Sequence, residues 1–67
     1  MKRSVTIAGH RTSISLEEEF WEALCRFARE EGLSVNALVG AIDKQRTTNL
    51  SSALRVFVLK RYQSPSA

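Results

Sequence analysis

The sequence has very little of what stabilises most small proteins without a partner. It contains one cysteine, Cys25, and one histidine, His10, among 67 residues. It can therefore form no disulfide within the chain, and it lacks a His/Cys set with the spacing of a zinc site. A domain of this size buries only about 60 % of the surface that it exposes when unfolded, so its stability is marginal. With disulfides and metals excluded, the usual additional source of stability is association with a partner chain. We expect an oligomer with a reduced thiol, no metal and no cofactor.

Long apolar runs are also absent, and the charges are unevenly distributed. No segment approaches the ~20 apolar residues of a membrane span, and no apolar core follows the first three residues as in a signal peptide. These absences predict a cytoplasmic protein without membrane contact. Ten Lys and Arg residues exceed seven Asp and Glu residues, which gives a net charge of +3. This balance permits a polyanionic partner without requiring one.

The first sixteen residues alternate as extended chains do. Apolar residues occupy every second position in two short runs, at odd positions in the first and at even positions in the second: Val5, Ile7, Ile14 and Leu16. One unbroken strand would direct these runs to opposite faces, so the register must change near Gly9 through a bulge or a tight turn. We predict a strand over residues 11–16. Residues 1–10 are an N-terminal extension, in which residues 2–7 form either an arm or a hairpin strand.

Three helices are predicted after the strand, because apolar residues recur at intervals of three or four positions. Their ranges are residues 17–31, 34–44 and 50–62, and residues 63–67 are predicted to be a frayed tail. Gly32 can end the first helix in a left-handed conformation, and Ser34 can cap the second. The sequence therefore predicts one mainly α-helical domain with one short strand per chain.

The segment Ala28–Asn36 joins an acidic helix end to a glycine and then to Ser-Val-Asn. This order resembles the inter-helix signature of the ribbon-helix-helix family of bacterial DNA-binding proteins, over roughly residues 11–44. The resemblance implies an intertwined homodimer, in which one strand from each chain forms an intermolecular antiparallel ribbon that enters the DNA major groove. The N-terminal extension and the third, C-terminal helix resemble those of a subgroup of the family.

The resemblance assigns DNA contacts to two groups of residues. The outward side chains of the strand read base edges in the family, and the matching residues here are Arg11, Ser13 and Ser15. Arginine forms two hydrogen bonds with guanine, whereas serine discriminates weakly between bases, so we expect modest selectivity. Phosphate contacts are expected from the N-terminal arm and from the N–H groups that begin the second helix: Lys2, Arg3, Ser34, Val35 and Asn36.

Each of these assignments has a structural alternative. The strand residues can form a solvated sheet face, and Ser34 and Asn36 can act as helix caps alone. No nucleophile is paired with a base, which argues against an enzyme. We predict a homodimeric, sequence-specific regulator of transcription that binds double-stranded DNA. The alternative is a dimeric protein-interaction module, including an antitoxin-like role, that keeps the fold and binds a protein through the acidic first helix or the C-terminal helix.

Overall fold

The computed structural model describes residues 2–63 and consists of a β-hairpin followed by three helices. The elements are β1 (Lys2–Ile7), β2 (His10–Ser15), α1 (Glu18–Glu30), α2 (Val35–Gln45) and α3 (Leu50–Gln63). The predicted tail lies outside the described residues, apart from Gln63. The predicted order of extended structure and then three helices is confirmed.

The N-terminal extension contains a strand that pairs with β2 of the same chain in an antiparallel register. Ala8 and Gly9 connect the two strands with φ values of 53° and 82°. Positive φ at both central residues is the mark of a type I′ turn, whose twist matches that of paired strands. The turn sends the odd-numbered apolar residues of β1 and the even-numbered ones of β2 to one face, and this resolves the register conflict in the sequence.

The prediction of one short strand per chain is therefore wrong, because the chain contains two. The antiparallel ribbon that was expected between two chains forms here within one chain, and residues 2–7 are a hairpin strand rather than an arm. The physical reason is the length of the connection. A two-residue turn holds two strands together without the loss of translational and rotational freedom that pairing between separate chains requires.

The hydrophobic core lies beneath one face of the hairpin. Val5 and Ile14 contribute from the strands with 2 % and 3 % exposure, and each helix adds one side chain that is completely buried: Leu24, Val39 and Leu54. Helix α3 therefore closes over the core, which the sequence left undecided. Burial of a large apolar side chain contributes ~1.5–3 kcal/mol, so the face of the hairpin opposite the core is the one left to solvent.

The connection between α1 and α2 fixes where α2 begins. Gly32 adopts a φ of 73°, and the N–H groups of Gly32 and Leu33 donate to the carbonyl oxygens of Arg29 and Ala28 at 3.1 and 2.8 Å. This pattern is a Schellman motif, which satisfies the last carbonyl groups of α1. The chain then enters α2 at Ser34, whose Oγ accepts a hydrogen bond from the Ala37 N–H at 3.0 Å.

The substitution Ala8→Asn is expected to raise the free energy of unfolding by about 1 kcal/mol. A residue with a Cβ is strained by ~1–2 kcal/mol in the left-handed region, and asparagine, which tolerates that region, is favoured before glycine in type I′ turns. Chemical denaturation measures the change. Ala41→Asn, at an exposed helical position, is the matched control and should lower stability by about 0.5 kcal/mol. If Ala8→Asn and Ala41→Asn both lower stability, the left-handed conformation assigned to Ala8 in the turn is contradicted.

Candidate nucleic-acid interface

The outward face of the hairpin consists of three cross-strand pairs of polar residues. The register places Lys2 opposite Ser15, Ser4 opposite Ser13, and Thr6 opposite Arg11, and all six residues are exposed. We call these six residues the ribbon face. It combines two cations with four hydroxyl groups and contains no carboxylate, so it offers positive charge and hydrogen-bonding groups to a polyanion.

The predicted base-reading residues Arg11, Ser13 and Ser15 lie together on the ribbon face, as the alternation of side chains along a strand requires. Their contact with bases stays a prediction. Sequence reasoning missed Ser4 and Thr6, which complete the face from β1. The signal that could have found them is the same alternation, applied to a second strand across the Gly9 turn.

Lys2 and Arg3 were assigned together to an arm that contacts phosphates, but they lie on opposite faces of β1. Arg3 faces the core side, where its Nη2 is 3.3 Å from Oε1 of Glu18 and its guanidinium carbon is 5.1 Å from the centroid of the Trp21 ring. The buried Nε of Arg3 has no hydrogen-bond partner among residues 2–63. Arg3 therefore joins the start of β1 to α1, and the structure does not bring it to the ribbon face.

The start of α2 lies against the outer edge of β1. Oδ1 of Asn36 accepts a hydrogen bond from the Thr6 N–H at 3.3 Å, and Ser34 caps the helix. Both predicted polar side chains are thus already used within the chain. The first N–H groups of a helix have no intrahelical acceptor, so the N–H groups of Val35 and Asn36 are the ones that remain for an anion beside the ribbon.

The start of α3 lies against the outer edge of β2 in a comparable way. Oγ of Ser51 accepts a hydrogen bond from the Ser15 N–H at 3.3 Å. Arg55 donates from Nη2 to the Ser15 carbonyl oxygen at 3.4 Å and from Nε to Oε1 of Glu17 at 2.8 Å. The hydrogen bond from Arg55 lowers the pKa of the Glu17 carboxyl below its ordinary value of 4.5, with a smaller contribution from a backbone hydrogen bond. No local pattern in the sequence predicts these contacts, because they join segments far apart in the chain.

The positive charges of the ribbon face are not neutralised by ion pairs within residues 2–63. Within residues 2–63, ion pairs hold Arg3, Arg46, Arg55 and Arg61, and all four lie outside the ribbon face. Their charges are neutralised locally by carboxylates. Neither Lys2 nor Arg11 takes part in such a pair among the described residues, so both charges are available to an external partner.

Comparison with known proteins identifies a family. A family model described as a ribbon-helix-helix domain matches residues 1–62, while searches of curated proteins and of solved structures find no match. Ribbon-helix-helix domains are a non-enzymatic regulatory fold, typically found in DNA-binding transcriptional regulators or antitoxins, and they generally dimerise. Within residues 2–63, no cluster of three His, Cys, Asp or Glu residues could hold a metal ion. None of the three described helices has both the length and the apolar character of a membrane-spanning segment.

The substitution Arg55→Gln is expected to raise the pKa of Glu17 toward 4.5, because it removes the main hydrogen bond to the carboxylate. A carboxyl group whose pKa is lowered by folding stabilises the protein above its unfolded-state pKa. In the wild type, this contribution is therefore present at neutral pH and is lost as the pH falls through the folded-state pKa, below 4.5. NMR titration of the Glu17 side-chain carboxyl measures the shift.

The matched control for this titration is Arg61→Gln. Arg61 pairs with Glu30 and Glu31 instead, so its loss should leave the Glu17 pKa unchanged. An identical Glu17 titration in the wild type and in Arg55→Gln would contradict the role given to Arg55.

Proposed function

Because the chain belongs to the ribbon-helix-helix domain family, we propose that it binds double-stranded DNA through the ribbon face and regulates transcription. The observation that carries this proposal is the exposed polar face with its two cations that lie outside every described ion pair. The major groove of B-DNA is about 12 Å wide and admits a two-stranded β-ribbon. A ribbon in this groove brings its outward side chains to the base edges.

The chemistry of the face divides the contacts between specificity and positioning. Arg11 binds O6 and N7 of a guanine with two hydrogen bonds, and Ser13 and Ser15 donate to or accept from neighbouring bases. Lys2, at the opposite corner of the face, reaches either a base or a phosphate. Serine hydroxyl groups discriminate weakly, so most of the selectivity comes from the cationic residues.

Phosphate contacts come from the start of α2. The N–H groups of Val35 and Asn36 carry the partial positive charge of a helix N-terminus, and Ser34 holds the first turn in place as its cap. The bond from Thr6 to Asn36 fixes this helix start beside the ribbon. Arg3 is not included in the contact set, because Glu18 holds its guanidinium group away from the ribbon face.

We also propose that the protein is a cytoplasmic homodimer. Ribbon-helix-helix proteins generally dimerise, and large apolar side chains remain exposed outside the hairpin: Leu33, Val56, Leu59 and Tyr62. Since the hairpin is complete within one chain, each chain of such a dimer carries its own ribbon face.

The same exposed residues favour a second candidate function, in which the protein is an interaction module or an antitoxin. Val56, Leu59 and Tyr62 all lie on α3, the helix that the sequence singled out for a protein partner. Capture of partners from a cell lysate, with and without nuclease treatment, separates the two functions. Partners that survive nuclease favour the interaction module, and partners lost with the nucleic acid favour DNA binding.

DNA binding is expected to weaken steeply with salt, because each phosphate neutralised by the protein releases counterions. The logarithm of the binding constant should fall by ~0.9 per neutralised phosphate for each tenfold increase in salt. Fluorescence anisotropy with a labelled mixed-sequence duplex measures this slope. If no duplex binds at any ionic strength, the proposed function is wrong.

The substitution Arg11→Ala is expected to weaken binding to a preferred sequence by ~1–3 kcal/mol, which is the typical value of a bidentate contact with guanine. Lys60→Ala is the matched control, since Lys60 is an exposed cation on α3. Anisotropy titrations at constant salt compare the two variants. Equal losses in both would show that Arg11 contributes only net charge.

A further inference from the structure

A groove lies between the C-terminal end of α2 and the outer side of α3, beside the loop that connects them. We call it the α2–α3 groove. Its volume is about 420 Å³, within the ~300–1,000 Å³ range of ligand pockets. Val56 in its lining is 46 % exposed, so a large apolar surface faces solvent here. The apolar residues of the lining are Ile42, Ala53, Val56 and Phe57.

Contacts within the chain hold both walls of the groove in place. On the α3 side, the ring of Phe57 packs edge-to-face against Phe27, with the ring centroids 6.2 Å apart. On the loop side, Arg46 donates from Nε to Oδ1 of Asp43 at 2.6 Å and from Nη1 to the Thr48 carbonyl oxygen at 2.8 Å. The groove is therefore formed before a partner binds, which reduces the entropy that binding has to overcome.

The charge of the groove is positive and uncompensated. Helix α3 contains three cations and no carboxylate, and two of these cations, Arg55 and Arg61, pair with glutamates outside the helix. Lys60 is the third, and it lines the groove. Within residues 2–63 it takes part in no ion pair, and no Asp or Glu lines the groove. Complementarity of charge thus favours an acidic partner.

Two other occupants match the groove less well. A second copy that docked through this same surface would bring like charges together, because a two-fold contact uses one patch on both chains. The acidic helix α1 of a second copy could supply carboxylates, but none of the exposed large apolar side chains of residues 2–63 lies on α1. A nucleic acid backbone supplies negative charge without apolar side chains. A peptide supplies both.

We infer that the α2–α3 groove binds an acidic, amphipathic peptide segment of a different protein. Apolar side chains of this segment pack against Val56 and Phe57, and one of its carboxylates pairs with Lys60. Insertion of apolar anchors into a groove is a common mode of peptide recognition. The groove shares no residue with the ribbon face, so this binding is independent of the proposed contact with DNA.

Selection of peptides from a random phage-displayed library by the purified full-length protein tests the inference. The wild type is expected to enrich peptides that combine large apolar residues with Asp or Glu. Fluorescence anisotropy with a labelled synthetic copy of a selected peptide then measures affinity. Val56→Asp should weaken binding by about tenfold or more, because it places a carboxylate against the apolar side chains of the peptide. Leu59→Asp is the matched control and should bind as the wild type does, since Leu59 is exposed on α3 but does not line the groove.

The charge preference has its own pair of variants. Lys60→Glu should weaken binding of the acidic peptide by about tenfold, and it should enrich peptides with Lys or Arg from the same library. Lys44→Glu changes the net charge equally at an exposed position outside the groove, and it should retain the preference for acidic peptides. Far-UV circular dichroism checks that each variant keeps its helices.

Several results would overturn the inference. The wild type could enrich no peptide, or peptides without acidic residues, or Leu59→Asp could weaken binding as much as Val56→Asp. Sedimentation that shows a dimer in the wild type and a monomer in Val56→Asp would assign the groove to contact between copies. Loss of duplex binding in Val56→Asp would assign it to nucleic acid. Duplex binding by the wild type is measured separately, so failure of the peptide selection leaves the proposed function in place.

Discussion

The turn at Ala8 and Gly9 is the constraint on which both the hairpin's contribution to the core and the ribbon face depend. Its two residues bring β1 onto β2 in a single register, and that register decides which side chains face the helices. With Val5 and Ile14 both directed inward, the hairpin covers the core, and the polar residues of both strands are left on the opposite side. The core and the ribbon face are therefore two results of one backbone conformation.

The helices hold the hairpin from three sides. Helix α1 binds the start of β1 through the pair of Arg3 and Glu18, while α2 and α3 each place a polar side chain on one edge of the ribbon. None of these contacts uses the outward side chains of the ribbon face. The structure thus fixes the position of the face, while Lys2 and Arg11 take part in no ion pair within residues 2–63.

Much of this arrangement could be predicted from the sequence, because the relevant signals are local. Helical spacing of apolar residues located the three helices, and the Gly32 and Ser34 signals located the boundary between α1 and α2. Alternation in β2 placed Arg11, Ser13 and Ser15 on one face. The prediction that β2 has no strand partner within its own chain was wrong, because β2 pairs with β1. Alternation shows that a strand has two faces, but it does not show which strand lies beside it.

The remaining errors concern contacts between distant segments. The interaction of Arg3 with Glu18 and Trp21 depends on how close α1 lies to the start of β1, so Arg3 could not be separated from its neighbour Lys2 by sequence alone. The same holds for Ser51 and Arg55 at the edge of β2. Long polar side chains form such contacts only after the helices have packed, and no spacing rule in the sequence encodes them.

Closure of the hairpin within one chain determines how the ribbon face depends on protein concentration. A surface built from two chains assembles in proportion to the square of the protein concentration and is largely absent when copies are scarce. A surface built by one hairpin exists in every folded molecule, at any abundance. The ribbon face of this chain therefore does not need a second copy in order to form.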